Sequence, residues 1–156
     1  MGPFESFMRP PFKRRSDGDI SVNLSEQQRL MIENLVGQLR EMITSDHPAL
    51  VRLFPRPYED EERNQGYAVL AGAELVDKRL AAMGAVLDTV HAEKLTPDEL
   101  QTWMRSVNDL RLVLGTILDV SEDDYEIPED EAAQSMYLSY EHLGYLLERI
   151  VGALGE

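Results

Sequence analysis

A polar block interrupts the most apolar helical stretch of this 156-residue chain. Asn108, Asp109 and Arg111 stand in a segment whose apolar stripe comprises Leu100, Trp103, Met104, Val107, Leu110, Leu114, Ile117 and Leu118. A buried Asp109 would need a partner. Arg111 cannot be that partner, because positions i and i+2 do not face each other on a helix. The block either faces solvent or turns inward and ties helix ends and loops together through hydrogen bonds. We predict that Asn108, Asp109 and Arg111 form a structural motif together with Trp103, and that Asp109 is not a catalytic carboxylate.

No other residue pattern indicates catalysis or metal binding. The chain has no cysteine, which excludes disulfides, thiolate metal sites, cysteine nucleophiles and thiol redox switches. The histidines His47, His91 and His142 are far apart, and Asp88 with His91 would supply only two ligands on one helix face. No catalytic triad, paired-carboxylate motif or phosphate-binding glycine loop is recognisable. We therefore expect no enzyme activity, no metal and no cofactor.

An acidic connector spans residues 119–131, where eight residues are acidic and none is basic. Its start resembles a calcium loop, but Asp124 stands where the sharp turn needs glycine. We expect a solvated connector or, as the alternative, a segment that docks on a basic protein surface. The side chains that would make this contact are Asp119, Glu122, Asp123, Asp124 and Glu126.

The one dense basic cluster follows Phe12 and consists of Lys13, Arg14 and Arg15. A formal net charge of −14 and an isoelectric point near 4.5 argue against nucleic-acid binding over a broad face. Any DNA contact would therefore be weak or indirect, and it would use this cluster on phosphates rather than bases.

A β-hairpin is predicted for residues 12–24. Asp17 and Gly18 are typical of a two-residue type I′ turn, in which both central residues have positive φ. Ile20, Val22 and Leu24 alternate with polar residues, which indicates a strand with one buried face. An isolated hairpin is marginally stable, so this face is expected to dock on helices.

Helical periodicity follows over most of the remaining chain. Ser25 with Gln28 forms a predicted capping box for a helix to about residue 43, and Thr96 with Glu99 forms another. Further helices are predicted at residues 48–54, from about residue 59 to 92, and from about 130 to 154. The predicted fold is mainly α, with an N-terminal β-hairpin packed on about four to five helices. We assign residues 1–11 to a tail and residues 12–154 to a single domain.

Several stretches resemble one known family. They are Asn-Leu-Val-Gly-Gln-Leu at residues 34–39, Arg-Leu-Phe-Pro at 52–55 with Tyr58, the segment from Trp103 to Gly115, and the last helix with Tyr137, Tyr140 and Leu-Leu-Glu-Arg-Ile-Val at 146–151. Together they resemble the AosR-like family of actinobacteria, long catalogued as a domain of unknown function and commonly encoded beside the ClpS adaptor. The resemblance implies a cytoplasmic transcriptional regulator of oxidative stress that works with an alternative sigma factor and senses oxidation through a cysteine pair.

The absence of cysteine departs from that pattern, so no sensor residue is carried over to this chain. We predict a non-enzymatic cytoplasmic regulator that binds a protein partner, a sigma factor or RNA polymerase. The alternative is an adaptor or modulator of Clp-type protein turnover, which only the gene neighbourhood of the family suggests. No apolar run is long enough to cross a membrane, and we expect that the first residues do not form a signal peptide. The sequence leaves the oligomeric state undecided, and a homo-oligomer is one alternative.

Overall fold

The computed structural model describes residues 9–45, 73–118 and 130–156. These residues form four helices and three short strands. The helices are α1 (Glu26–Ser45), α2 (Ala73–Thr89), α3 (Pro97–Ile117) and α4 (Glu131–Leu154), and the strands are β1 (Phe12–Arg14), β2 (Ile20–Val22) and β3 (Lys94–Leu95). The predicted mainly α fold with an N-terminal hairpin is confirmed. The predicted helix at 48–54, the start of the predicted helix at 59–92, and residues 119–129 of the acidic connector lie outside the described residues.

The three strands form one antiparallel sheet in the order β1-β2-β3. Phe12 pairs with Val22, and Ile20 pairs with both Arg14 and Leu95. The sequence predicted only the first two strands. The third contains two residues, which is too short for an alternating pattern, and it pairs with β2 only after α2 has brought the chain back.

The hairpin loop differs from the predicted two-residue turn. The Gly18 amide donates to the Arg15 carbonyl at 3.1 Å, and the Arg15 amide donates to the Asp19 carbonyl at 2.7 Å. This is the three-residue loop in which a type I turn is followed by a bulge residue with positive φ. Gly18, with φ of 95°, supplies that residue, and Asp17 Oδ1 accepts from the Asp19 amide at 3.0 Å.

Both predicted capping boxes are confirmed. The Ser25 hydroxyl accepts from the Gln28 amide at 3.1 Å, and the Gln28 side chain accepts from the Ser25 amide at 2.8 Å. Thr96 and Glu99 make the same reciprocal pair at the start of α3, with Pro97 at the first helical position. Each box satisfies two backbone amides that the first helical turn leaves without partners.

The core lies between the inner face of the sheet and the four helices. Trp103 of α3 is 1% exposed, and its ring meets Phe12 edge-on with centroids 6.0 Å apart. The indole Nε1 donates to Thr89 Oγ1 at 2.8 Å, at the end of α2. Trp103 therefore joins the hairpin, α2 and α3 at one point. None of the described helices combines the length and the apolar character needed to cross a membrane.

Candidate functional site

The polar block of α3 turns inward at Asp109, which is 2% exposed. Arg79 of α2 donates from Nη1 to Asp109 Oδ1, so the buried carboxylate has an ionic partner on the neighbouring helix. Burial raises the pKa of Asp109 above its ordinary value, and the hydrogen bond and charge of Arg79 act in the opposite direction. This pair holds α2 against α3.

Arg111 turns to the other side of α3 and packs on α4. Its guanidinium lies over the Tyr140 ring, 4.8 Å from the centroid, a distance at which a cation is attracted to an aromatic face. Gly144, one turn further along α4, leaves the space that the arginine side chain occupies. The Arg111 Nε is buried and has no hydrogen-bond partner among the described residues.

Side chains two positions apart on a helix differ in direction by about 200°. Asp109 therefore points to α2 and Arg111 to α4. Asn108 between these directions is exposed. The block thus braces α3 against α2 and α4. The Asp109 side chain is 3% exposed and the Arg79 side chain that covers it is 28% exposed, so the carboxylate lies in the interior while the arginine reaches the surface. The sequence did not single out Arg79. The one feature that could have indicated it was its position as a basic residue in a helix with a buried face.

Arg29 of α1 is a buried basic residue that sequence reasoning did not single out. It is 7% exposed, and its guanidinium donates to four backbone carbonyls. The acceptors lie in β2, before α1 and just after α2, at 2.7 to 3.2 Å: Val22, Leu24, Val90 and Ala92. One guanidinium therefore joins β2 and the start of α1 to the end of α2, whose acceptors lie 61 and 63 positions further along the chain.

The three residues of the predicted basic cluster do not point in the same direction. Arg14 faces the core side and donates to the carbonyls of Ala153 and Leu154 at 3.3 Å, which satisfies carbonyls at the end of α4. Lys13 is exposed, and the Arg15 side chain is 45% exposed beside Asp17. Of the three residues predicted to contact nucleic acid, Lys13 and Arg15 present their charge to solvent, whereas the Arg14 guanidinium is engaged within the fold.

The remaining candidate residues are dispersed. The predicted partner-binding acids, from Asp119 to Glu126, lie outside the described residues. His91 Nε2 lies 2.9 Å from a Glu33 oxygen, and His142 bonds the Gln28 amide at 3.0 Å. Burial lowers the pKa of His142. Within residues 9–45, 73–118 and 130–156, no group of three or more histidine or acidic side chains is placed to hold a metal ion.

The fold and these side chains define a mainly helical domain with an N-terminal sheet, braced by ionic groups in its interior. The chain belongs to the family described as a domain of unknown function, DUF2017, whose model matches residues 8–154. This match agrees with the resemblance to the AosR-like family, which curated relatives bearing the AosR name confirm.

Curated relatives carry a functional name. Proteins of Mycobacterium bovis and Mycobacterium tuberculosis named "Oxidative stress regulator AosR" are 30% identical to this chain over 123 residues, which is 67% of the chain and 56% of each relative. The chain thus spans less than two thirds of the length of the relatives it matches. No solved structure matches the chain significantly. These names support a regulatory role.

Proposed function

We propose that this chain is a non-enzymatic regulator of the oxidative-stress response that acts in the cytoplasm by binding the transcription machinery, either a sigma factor or RNA polymerase. One observation carries the proposal: the curated relatives are named oxidative stress regulators. The braced interior is consistent with it, because Asp109 and Arg111 hold helices together.

The proposed regulator does not sense oxidants through its own thiols, since the chain has no cysteine. In this proposal either the partner senses the oxidant, or oxidative stress changes the amount of this chain in the cell. The regulator then contributes a surface whose charges select and orient that partner. Complementary charge accelerates association and limits wrong partners more than it raises affinity.

Two charged segments are proposed to form that surface. The acidic connector would meet a basic protein surface, and Lys13 with Arg15 would lie towards nucleic acid in the assembled complex. Each exposed charge contributes little alone, so a test has to change several charges together. The segments carry opposite charge, which would orient the chain on a composite partner.

The test measures association of the full chain with purified RNA polymerase and with individual sigma factors by surface plasmon resonance at several salt concentrations. In the test variant, five carboxylates of the connector are replaced by their amides: Asp119, Glu122, Asp123, Asp124 and Glu126. The control variant removes the same amount of charge from exposed positions elsewhere: Glu41, Asp77, Asp88, Asp98 and Glu148.

We expect saturable binding, with slower association and a flatter salt dependence in the connector variant than in the control. Equal effects of the two variants would show that overall charge, not the connector, steers association. No binding to polymerase or to any sigma factor, together with saturable binding to Clp components, would contradict the proposal and favour the turnover adaptor.

A further inference from the structure

A polar cleft of about 450 Å³ lies where the outer face of the sheet meets the start of α1. Three arginines, Arg9, Arg15 and Arg29, line it together with Ser21, Ser25 and Glu93. We call it the arginine cleft. Three basic residues and one acidic residue among the ionisable lining groups make the cleft locally positive, although the whole chain has a formal charge of −14.

Arg29 gives the cleft a fixed positive charge. Its side chain is more than nine-tenths buried, and no ion pair joins it to a carboxylate among the described residues. A guanidinium has five N–H donors, and four hydrogen bonds to backbone carbonyls leave one of them. Carbonyl oxygens satisfy donors without supplying a full counter-charge, so a buried cation of this kind attracts an anion.

The other two arginines differ from Arg29 in their freedom to move. Arg9 is exposed, and the Arg15 side chain is 45% exposed with its nearest carboxylate, Asp17, at 3.6 Å. An exposed pair at that distance is weak, so Arg15 is able to turn to a ligand in the cleft. The cleft thus combines one immobile guanidinium with two that adjust to an incoming group.

The chemistry of the lining identifies the class of ligand. Guanidinium groups form paired hydrogen bonds with phosphate and carboxylate oxygens. The hydroxyls of Ser21 and Ser25 add neutral donors to the lining. A tetrahedral phosphoryl group offers oxygens in several directions and can therefore meet several of these donors.

We infer that the arginine cleft binds a phosphoryl group, either as a free phosphate compound or as part of a nucleic-acid backbone. The cleft shares Arg15 with the surface proposed to lie towards nucleic acid, but the inference does not rest on the proposed regulatory function, because the lining of the cleft and not the names of the relatives carries it. The cleft also differs from the predicted basic cluster in its anchoring residue, Arg29, whereas Arg14 is engaged at the end of α4.

The experiment titrates the full chain with inorganic phosphate at constant ionic strength and follows backbone amide signals by NMR. We expect saturable shifts at Ser21, Asn23 and Ser25, which line the cleft. Arg15→Gln should weaken binding by about three- to tenfold, as the loss of one ordinary hydrogen bond predicts for an exposed side chain. Glu93→Gln should tighten binding, because it removes the carboxylate from the lining.

Arg105→Gln is the matched control, since Arg105 is an exposed arginine on α3 that does not line the cleft. A linear response without saturation, or equal weakening by Arg15→Gln and Arg105→Gln, overturns the inference because it shows general charge screening. Arg29 is left intact, since its loss would disturb the fold.

A second titration distinguishes the two sources of phosphate. A short single-stranded oligonucleotide that shifts the same signals and binds more than tenfold tighter than inorganic phosphate identifies a nucleic-acid backbone. Comparable affinities identify a free phosphate compound. An oligonucleotide that binds tightly but leaves the signals of Ser21, Asn23 and Ser25 unchanged, with no response to phosphate, contradicts the site.

Discussion

Arg111 of α3 lies so close to Gly144 of α4 that a Cβ at residue 144 would stand 2.9 Å from the Arg111 Nε. Real Cβ atoms essentially never approach a heavy atom that closely. The arginine can move aside only by giving up part of its contact with Tyr140 of the same helix, because its guanidinium lies over that ring. The glycine therefore allows α3 and α4 to pack with a cation between them.

Gly144→Ala should lower the free energy of unfolding by about 1 kcal/mol, because overpacking costs about 1–3 kcal/mol and alanine regains up to about 1 kcal/mol of helix propensity. Chemical denaturation of the full chain measures the change. In an Arg111→Ala background the same substitution should become stabilising, since the obstructing side chain is gone.

Gly152→Ala is the control for that prediction. Gly152 lies on the same helix, and a Cβ there would meet nothing within 4 Å. This substitution should stabilise the protein in both backgrounds. Stabilisation by Gly144→Ala in the otherwise unchanged chain would show that the Arg111 contact does not restrict residue 144.

Arg79→Met should destabilise the fold by about 2–4 kcal/mol, slightly below the usual range for breaking a buried pair because Arg79 is 28% exposed. The substitution leaves the Asp109 carboxylate buried without its cation. Adding Asp109→Leu should restore most of the lost stability, since an apolar pair of similar volume replaces the ionic one.

Urea titration of the single and double variants checks this expectation, with Arg105→Met on the exposed side of α3 as the control. The control should change stability by no more than about 0.5 kcal/mol. A double variant as unstable as Arg79→Met alone would mean that shape at this position, not charge, explains the loss.

The pKa of Asp109 predicts a pH dependence of stability. Because burial raises this pKa in the folded state, the folded protein holds the proton more tightly than the unfolded chain. The resulting contribution to stability is complete below the ordinary aspartate pKa of about 3.9 and is lost as pH rises through the higher folded value. Asp109→Asn should remove this part of the pH profile.

The measurement compares the free energies of unfolding of the wild type and Asp109→Asn across the acidic range. The wild type should lose stability relative to Asp109→Asn as pH rises. The difference between the two free energies of unfolding should then level off above the folded pKa of Asp109. Arg79→Met should extend the change to higher pH, because the opposing effect of the arginine is removed. Parallel profiles for the wild type and Asp109→Asn would contradict the raised pKa.

Methionine is the only sulfur-containing side chain of this chain on which oxidants can act. Diamide, which oxidises thiols, should leave its mobility, fold and partner binding unchanged because there is no cysteine. Peroxide should oxidise the half-buried methionines before Met83, which is fully buried. Peptide mass spectrometry gives the order of oxidation. A rapid change reversed by dithiothreitol in the purified chain would contradict this expectation, since methionine sulfoxide is reduced by dedicated enzymes.

Local signals in the sequence determined the starts of two helices and the strands of the hairpin. Ser25 and Gln28, like Thr96 and Glu99, act over three residues, so their capping pattern is legible without knowing the rest of the chain. The alternation from Ile20 to Leu24 likewise depends on neighbouring positions alone. The inability of Arg111 to pair with Asp109 also followed from helix geometry.

The tertiary structure decided which partners the polar residues meet. Arg79 and Asp109 are 30 positions apart, and Arg29 and Val90 are 61 apart. It also determined that β3 joins the sheet and that Arg14 faces the end of α4. Such contacts form only when core packing brings distant segments together. Periodicity and capping act within a few residues, so they predict the elements but not the partners between them.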